Sequence, residues 1–89
     1  MKALIAPHAG LRWSGPNAAW AYKNVIDPNQ YDRVFILGPS HKVYLDFVAT
    51  TQCGEWETPL GNLVVDQDIV QELIDFPEKN PEFKWAARY

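Results

Sequence analysis

The 89-residue sequence contains a single cysteine, Cys53. One cysteine cannot build a disulfide framework, so we expect a reducing, cytoplasmic environment. Basic residues are also few, with 8 Lys and Arg against 11 Asp and Glu. Nucleic-acid binding needs a concentrated basic patch, so we expect no nucleic-acid partner. No apolar run approaches the roughly 20 residues of a membrane-spanning helix, so we expect no membrane association.

The overall amino-acid composition is typical of a folded globular protein. Hydrophobic residues make up 47% of the chain, and the net charge is only −3. A disordered chain would have fewer apolar residues and a larger net charge. The length suits one small domain or a piece of a larger one, and we treat residues 1–89 as a single domain.

Two apolar runs have the same outline. "ALIAP" over residues 3–7 and "RVFIL" over residues 33–37 predict short buried strands. Between them, the sequence predicts a helix over residues 16–26, with Ser14 as its N-cap and Pro16 in its first turn. Strand, helix and strand form a βαβ unit, whose strands run parallel. We therefore predict an α/β fold with a parallel or mixed sheet flanked by helices.

The second half of the chain predicts three further elements. Residues 47–52 have the composition of a third strand, and residues 55–66 predict a short irregular strand, a Pro-Leu-Gly turn and a further extended piece. Asp66 then caps a helix that extends to about Ile74. The tail that follows is rich in aromatic residues, which favours a segment that packs on further structure: Phe83, Trp85 and Tyr89.

The only two histidines, His8 and His41, each follow one of the first two predicted strands. The carboxyl ends of parallel strands lie at one edge of a sheet, where α/β folds bind ligands. Two imidazoles at this edge could bind Zn, Cu, Fe or Ni, with a third ligand expected from Cys, Asp or Glu. The alternative is that each histidine only hydrogen-bonds to the backbone of its loop.

Arg12 and Ser40 are the other candidate binding residues. Arg12 could hold an anion through its guanidinium. Ser40 precedes His41, but no Gly-x-Ser-x-Gly elbow is present, so a nucleophilic role is disfavoured. Cys53 is expected to be a half-buried apolar residue.

Five motifs occur together in one order and spacing: "IAPHAG", "RWSG", "AAWAY", "VFILGPSH" and "WETPLGNLVVD". From Ile5 to about Leu73 the chain resembles the N-terminal portion of the Memo family. The resemblance implies a fold similar to class III extradiol dioxygenases and a metal pocket that includes His8 and His41. It further implies iron or copper as the cofactor, and redox activity.

The chain also departs from the family pattern. Lys42 stands where family members often have a second histidine, and Cys53 does not match the family's later ligand cysteine. The resemblance therefore implies an N-terminal fragment of the family fold with two of three expected metal ligands, the third being absent from this chain. We expect such a chain to be marginally stable, oligomeric or completed by another chain.

Three functions stay open at this point. The first is a metal-binding protein, which as an enzyme would be a non-haem-iron or copper oxidoreductase. The second is a module that binds a protein or phosphotyrosine peptide through Arg12 and the loop that contains Ser40. The third is a truncated remnant that cannot complete its site.

Overall fold

The computed structural model describes residues 1–82 and the backbone of residues 87–88. The chain divides into two compact units, Met1–Pro39 and Ser40–Tyr89. Both helical and strand elements are present, which confirms the α/β class in its broad sense. The single domain predicted for residues 1–89 stays a prediction. The three aromatic residues of the tail lie outside the described residues: Phe83, Trp85 and Tyr89.

Helix α1, Leu11–Tyr22, is the main element of the first unit, and it begins five residues before the predicted start. Its N-cap is Gly10, whose carbonyl accepts hydrogen bonds from the backbone N–H groups of Trp13 and Ser14. The prediction of Ser14 as the N-cap is therefore wrong. Pro16 lies inside the helix rather than in its first turn, and the helix tolerates the loss of one backbone donor there.

The same helix ends four residues before the predicted end, at Tyr22. The Asn24 side-chain amide donates to the carbonyls of Trp20 and Ala21 at 2.8 and 3.2 Å. These bonds satisfy carbonyls that the next turn would otherwise have used, so the chain leaves the helix here. A short 3₁₀ helix, Pro28–Gln30, follows, and the Asp27 carboxylate caps it by accepting from the Asn29 backbone N–H.

The first two predicted strands are not found. Residues 3–7 and 33–37 have irregular backbone without strand pairing. Their apolar side chains are also not buried, since Ile5 is 96% exposed and Leu37 is 91% exposed. β-branched composition favours a strand only where a neighbour supplies the backbone ladder, and the described residues supply none to these segments. The prediction of a strand–helix–strand (βαβ) motif is therefore wrong.

Strand β1, Val48–Ala49, occupies part of the strand that we predicted over residues 47–52. It pairs in parallel with strand β4, Ala87–Arg88. The described pairing joins Val48 to Ala87 and Ala49 to Arg88, so β1 is shorter than the predicted strand.

The strand, turn and extended piece predicted over residues 55–66 are confirmed, and the structure pairs the two extended parts as a hairpin. Strands β2, Glu55–Thr58, and β3, Gly61–Val64, pair antiparallel, with Trp56 opposite Leu63. The Thr58 hydroxyl donates to the Gly61 carbonyl at 2.6 Å and accepts from the Leu60 backbone N–H at 3.2 Å. Gly61 has φ +125°, a conformation that side chains disfavour, which is why glycine closes this turn.

Helix α2, Gln67–Lys79, follows the hairpin. Its predicted N-cap is confirmed, because the Asp66 carboxylate accepts from the Ile69 backbone N–H at 3.2 Å. The helix continues past the predicted end at Ile74 and contains Pro77. The Asn80 backbone N–H and side-chain amide both donate to the Phe76 carbonyl at the C-terminus, so this end is satisfied locally.

Little of the described chain is buried. Within residues 1–82, only Ser14 and Ala18 are buried, and both lie on α1. Each helix in the described part is too short or too polar to span a bilayer.

Candidate functional site

His8 lies in the loop that leads into α1, and Ser14 ties this loop to the helix. The Ser14 hydroxyl donates to the Ala9 carbonyl at 2.6 Å and lies 3.4 Å from the Gly10 carbonyl. Ser14 is only 7% exposed, and its oxygen reaches back along the helix, as serine hydroxyls commonly do. The bond fixes the backbone immediately after His8, while the histidine itself is exposed.

Gly10 and Trp13 form a second contact in the same loop. A Cβ atom at position 10 would lie 3.1 Å from Cζ3 of Trp13, closer than ordinary van der Waals contact. The indole therefore lies directly against the Gly10 backbone, even though 75% of Trp13 is exposed. This packing further defines the path of the chain between His8 and α1.

Arg12, the candidate anion ligand, lies in the first turn of α1. Its guanidinium carbon is 5.9 Å from the centre of the Trp13 ring, within the range of a cation–π interaction. Arg12 is exposed, so its charge is accessible from solvent.

His41 lies in a second loop with a comparable serine contact. The Ser40 hydroxyl donates to the Val43 carbonyl at 2.5 Å. This bond closes a short turn that contains His41 and Lys42, both of which are exposed. The hydroxyl proton of Ser40 is thus used within the loop, so Ser40 helps to shape the turn around His41.

The two candidate ligands belong to different compact units, His8 to the first and His41 to the second. Their convergence on one metal ion stays a prediction. Within residues 1–82, no group of three or more His, Cys, Asp and Glu side chains could hold a metal ion. The donor chemistry of the two imidazoles suits iron or copper, but the described residues do not form a complete site.

Cys53 does not supply the third ligand in the described structure. It is a free, exposed thiol, so the expectation of a half-buried residue is wrong. Its backbone N–H donates to the Thr51 hydroxyl at 3.1 Å, and its carbonyl accepts from the Gln67 side-chain amide at 2.9 Å. These bonds anchor the segment before the hairpin to the start of α2.

Sequence reasoning missed the loop-fixing roles of Ser14 and Ser40. A helix that begins at Pro16 would make Ser14 its cap, whereas α1 begins at Leu11. A start at Leu11 would have placed Ser14 within reach of the carbonyls four and five residues earlier, which is the available signal. For Ser40, the signal is a hydroxyl next to a Gly-Pro turn, where short side-chain-to-backbone bonds are common.

The sequence of the chain, including both histidine loops, is similar to proteins of one known family. A family model described as Memo-like protein matches residues 1–86. The chain is 51% identical to the Protein memo-1 homolog of Caenorhabditis elegans over 72 residues, which are 81% of this chain and 20% of that protein. It is 44% identical to a MEMO1 family protein of Saccharomyces cerevisiae over 78 residues, 84% of this chain and 23% of that protein.

An archaeal relative has a similar relationship. A MEMO1 family protein of Saccharolobus islandicus is 41% identical over 71 residues, covering 80% of this chain and 25% of that protein. The chain therefore spans between a fifth and a quarter of the length of these curated relatives. No solved structure matches the chain. The match over residues 1–86 shows that the chain belongs to the Memo-like family.

Proposed function

We propose that the protein contributes His8 and His41 as imidazole ligands to an iron or copper site of the Memo type. The observation that carries this proposal is the family match over residues 1–86, which includes both histidines and the motifs around them. The proposal further holds that the two loops converge when the site is assembled.

The loop geometry supports a ligand role for each histidine. A metal ligand is most effective when its backbone is already fixed, because less freedom is then lost on binding. The Ser14 hydroxyl fixes the carbonyl just after His8, and the Ser40 hydroxyl closes the turn around His41. Both imidazoles are exposed, so a metal ion can reach them.

The third ligand in this proposal comes from another polypeptide, and the two imidazoles of this chain already bind the ion, more weakly, without it. A partner chain or a second copy would meet a surface rich in apolar groups, since the side chains of Ile5, Ile26 and Leu37 are almost fully exposed. Burial of such side chains is favourable by about 1.5–3 kcal/mol each. A polypeptide that covers these apolar side chains would therefore stabilise this chain, and it would also supply the third metal ligand.

The identity of the third donor would select the metal. Two imidazoles and a carboxylate form the facial triad typical of non-haem iron(II), whereas a thiolate suits copper. When bound, either metal supplies one-electron redox chemistry, and an oxygen-using oxidoreductase is the enzyme form of this proposal. The residues of this chain would bind and orient the ion through the two histidine loops.

The phosphotyrosine-peptide alternative has weaker support. It relies on Arg12 and on backbone N–H groups of the loop that contains Ser40. Arg12 offers one exposed guanidinium, whereas each histidine of the metal proposal lies in a loop that a serine hydroxyl fixes. We therefore favour metal binding over anion binding.

The test is an anaerobic titration of the 89-residue chain with Fe(II) and with Cu(I), in competition with a chelator of known affinity. We expect one bound ion per chain, and a loss of affinity of about tenfold or more in His8→Ala and in His41→Ala. Lys2→Ala and Lys42→Ala are matched controls, because each removes a nearby exposed side chain but no imidazole. These controls should bind metal as the unsubstituted chain does.

Two results would contradict the proposal. The first is the absence of metal binding by the chain, and the second is unchanged affinity in both histidine variants. A parallel titration with a phosphotyrosine peptide tests the alternative. If the peptide binds in the absence of metal, and if this binding is lost in Arg12→Ala, then peptide binding rather than metal binding is the function of the chain.

A further inference from the structure

Helix α1 carries two exposed tryptophans on one side, and a cation lies beside each of them. Trp13 and Trp20 are 75% and 68% exposed, and their i, i+7 spacing places them on the same side of the helix. The guanidinium carbon of Arg12 is 5.9 Å from the centre of the Trp13 ring, and Nζ of Lys23 is 3.4 Å from the centre of the Trp20 ring. These four residues form a surface that we call the α1 stripe.

The α1 stripe lies away from the buried side of the helix. Ser14 and Ala18 are the buried residues of α1, each 7% exposed. On a helix with 3.6 residues per turn, they are rotated by about 100–160° from Trp13 and Trp20. Most of the surface of the two indoles is therefore open to a partner rather than used in packing within the first unit.

Every polar group of the α1 stripe is a hydrogen-bond donor. A guanidinium, an ammonium group and an indole N–H all donate, and none of them accepts. The stripe is also positively charged, and no Asp or Glu precedes Asp27 in the sequence. The matching partner surface is therefore anionic and rich in acceptors. Ionised carboxylates have this chemistry, because they accept hydrogen bonds and do not donate them.

The chain itself presents carboxylates of this kind on helix α2. All 11 of its Asp and Glu residues lie at or after Asp27, and α2 contains four of them but only one basic residue, Lys79. Three of the four are exposed: Asp68, Glu72 and Glu78. Asp68 and Glu72 are spaced at i, i+4, where like charges repel and weaken the helix. Cations from another molecule would relieve this repulsion.

We propose that the chain associates with a second copy of itself, through the α1 stripe of one copy and helix α2 of the other. The two helices have 12 and 13 residues, so α2 can extend along the whole stripe. An antiparallel arrangement brings Lys23 toward Asp68 and Arg12 toward Glu78. It also places each helix terminus beside the oppositely charged terminus of the other helix. Neither histidine takes part, so this interface is independent of the proposed metal site.

The experiment is sedimentation velocity of the metal-free 89-residue chain over a series of protein concentrations, at about 20 mM and about 500 mM NaCl. We expect a monomer–dimer equilibrium whose dissociation constant rises at least about tenfold at the higher salt concentration, because salt screens exposed charges. Association through exposed apolar side chains alone would not weaken in this way. The salt dependence therefore separates the proposed interface from non-specific apolar association.

Charge reversal tests the two sides of the interface separately. Lys23→Glu and Glu72→Lys each place like charges opposite one another, so each should weaken self-association at least about tenfold. In a mixture of the two variants, the unaltered α1 of the Glu72→Lys chain meets the unaltered α2 of the Lys23→Glu chain. Mixed dimers should therefore form more tightly than dimers of either variant alone. Lys2→Glu and Glu57→Lys are matched controls, because each makes the same charge change at an exposed residue outside both helices.

Three results would overturn the proposal. They are a chain that stays monomeric up to millimolar concentration, a dimer whose dissociation constant does not depend on salt, and a mixture of variants that associates no better than its components. The two control variants should associate as the unsubstituted chain does. The concentration and salt series needs only the unsubstituted chain, so it decides the question even where a variant fails to fold.

Discussion

The hydroxyl of Ser14 donates a 2.6 Å hydrogen bond to the carbonyl of Ala9, the residue that follows His8. Ser14 is one of only two buried residues within the described range 1–82. A buried hydroxyl without a partner is unfavourable, so this bond both satisfies the side chain and fixes the loop. The position of a candidate metal ligand is thus determined by a residue six positions away.

Replacement of Ser14 by alanine should release the His8 loop. One hydrogen bond is lost, so we expect the free energy of unfolding to fall by about 1 kcal/mol. The affinity for Fe(II) or Cu(I) should fall as well, because His8 becomes less well positioned. Chelator competition measures the affinity, and the NMR signals of the His8 ring report its mobility. Asn17→Ala on the same helix is the control, and equal effects of both variants would contradict the role of Ser14.

Gly10→Ala should disturb the contact with Trp13. The new methyl group would lie 3.1 Å from the indole, so the ring must move by a few tenths of an ångström. We expect a shift in tryptophan fluorescence and a loss of stability of up to about 1 kcal/mol. Gly38→Ala is the control, since a Cβ atom there meets nothing within 4 Å. An unchanged emission spectrum in Gly10→Ala would show that the ring does not rest on this glycine.

Gly61→Ala should destabilise the hairpin formed by β2 and β3. The φ of +125° at this position is unfavourable for alanine, so we expect a loss of about 1 kcal/mol or more. Cross-strand contacts between Trp56 and Leu63, observed by NMR, report the hairpin population. Gly54→Ala is the matched control, as its site has open space and an ordinary φ. Equal hairpin populations in the two variants would contradict this assignment.

Asp66→Ala should shorten or weaken helix α2. The carboxylate accepts the Ile69 backbone N–H, and removal of such a cap lowers stability by about 1 kcal/mol. Circular dichroism should show reduced helix content, while Asp66→Asn should retain most of it. Asp68→Ala removes an acidic residue from the first helical turn without removing the cap. A loss of helix in Asp68→Ala as large as that in Asp66→Ala would argue against capping as the cause.

The local elements of the second unit were predictable from the sequence. The Pro-Leu-Gly turn, with Thr58 and Gly61 at its ends, is stabilised by hydrogen bonds between residues that are close together in the sequence. Asp66 likewise provides a cap within three residues of its partner, Ile69. Such features depend on neighbours in sequence, which is why the turn with its flanking extended segments and the start of α2 are predictable.

The strands expected at residues 3–7 and 33–37 depend on partners far away in sequence. Apolar runs show that a segment can be buried, but they do not supply the neighbouring strand. Ile5 and Leu37 are exposed, and no ladder reaches them among the described residues. The relatives are four to five times longer than the region that each shares with this chain.

For the candidate site too, the sequence predicts the local features but not the contacts that depend on the folded structure. The motifs identified His8 and His41, and the family match includes both. The serine contacts that fix their loops were found only in the structure, because they depend on where helix α1 begins and on how residues 40–43 turn. The convergence of the two histidines stays a prediction, since it depends on long-range packing.

The most direct test of the central claim is X-ray absorption spectroscopy of the copper-loaded chain, which counts the imidazole ligands around the ion. The account predicts two imidazoles per copper, and one in each of the variants His8→Ala and His41→Ala. A single imidazole in the unsubstituted chain, or an unchanged count in either variant, would show that His8 and His41 do not share one metal ion.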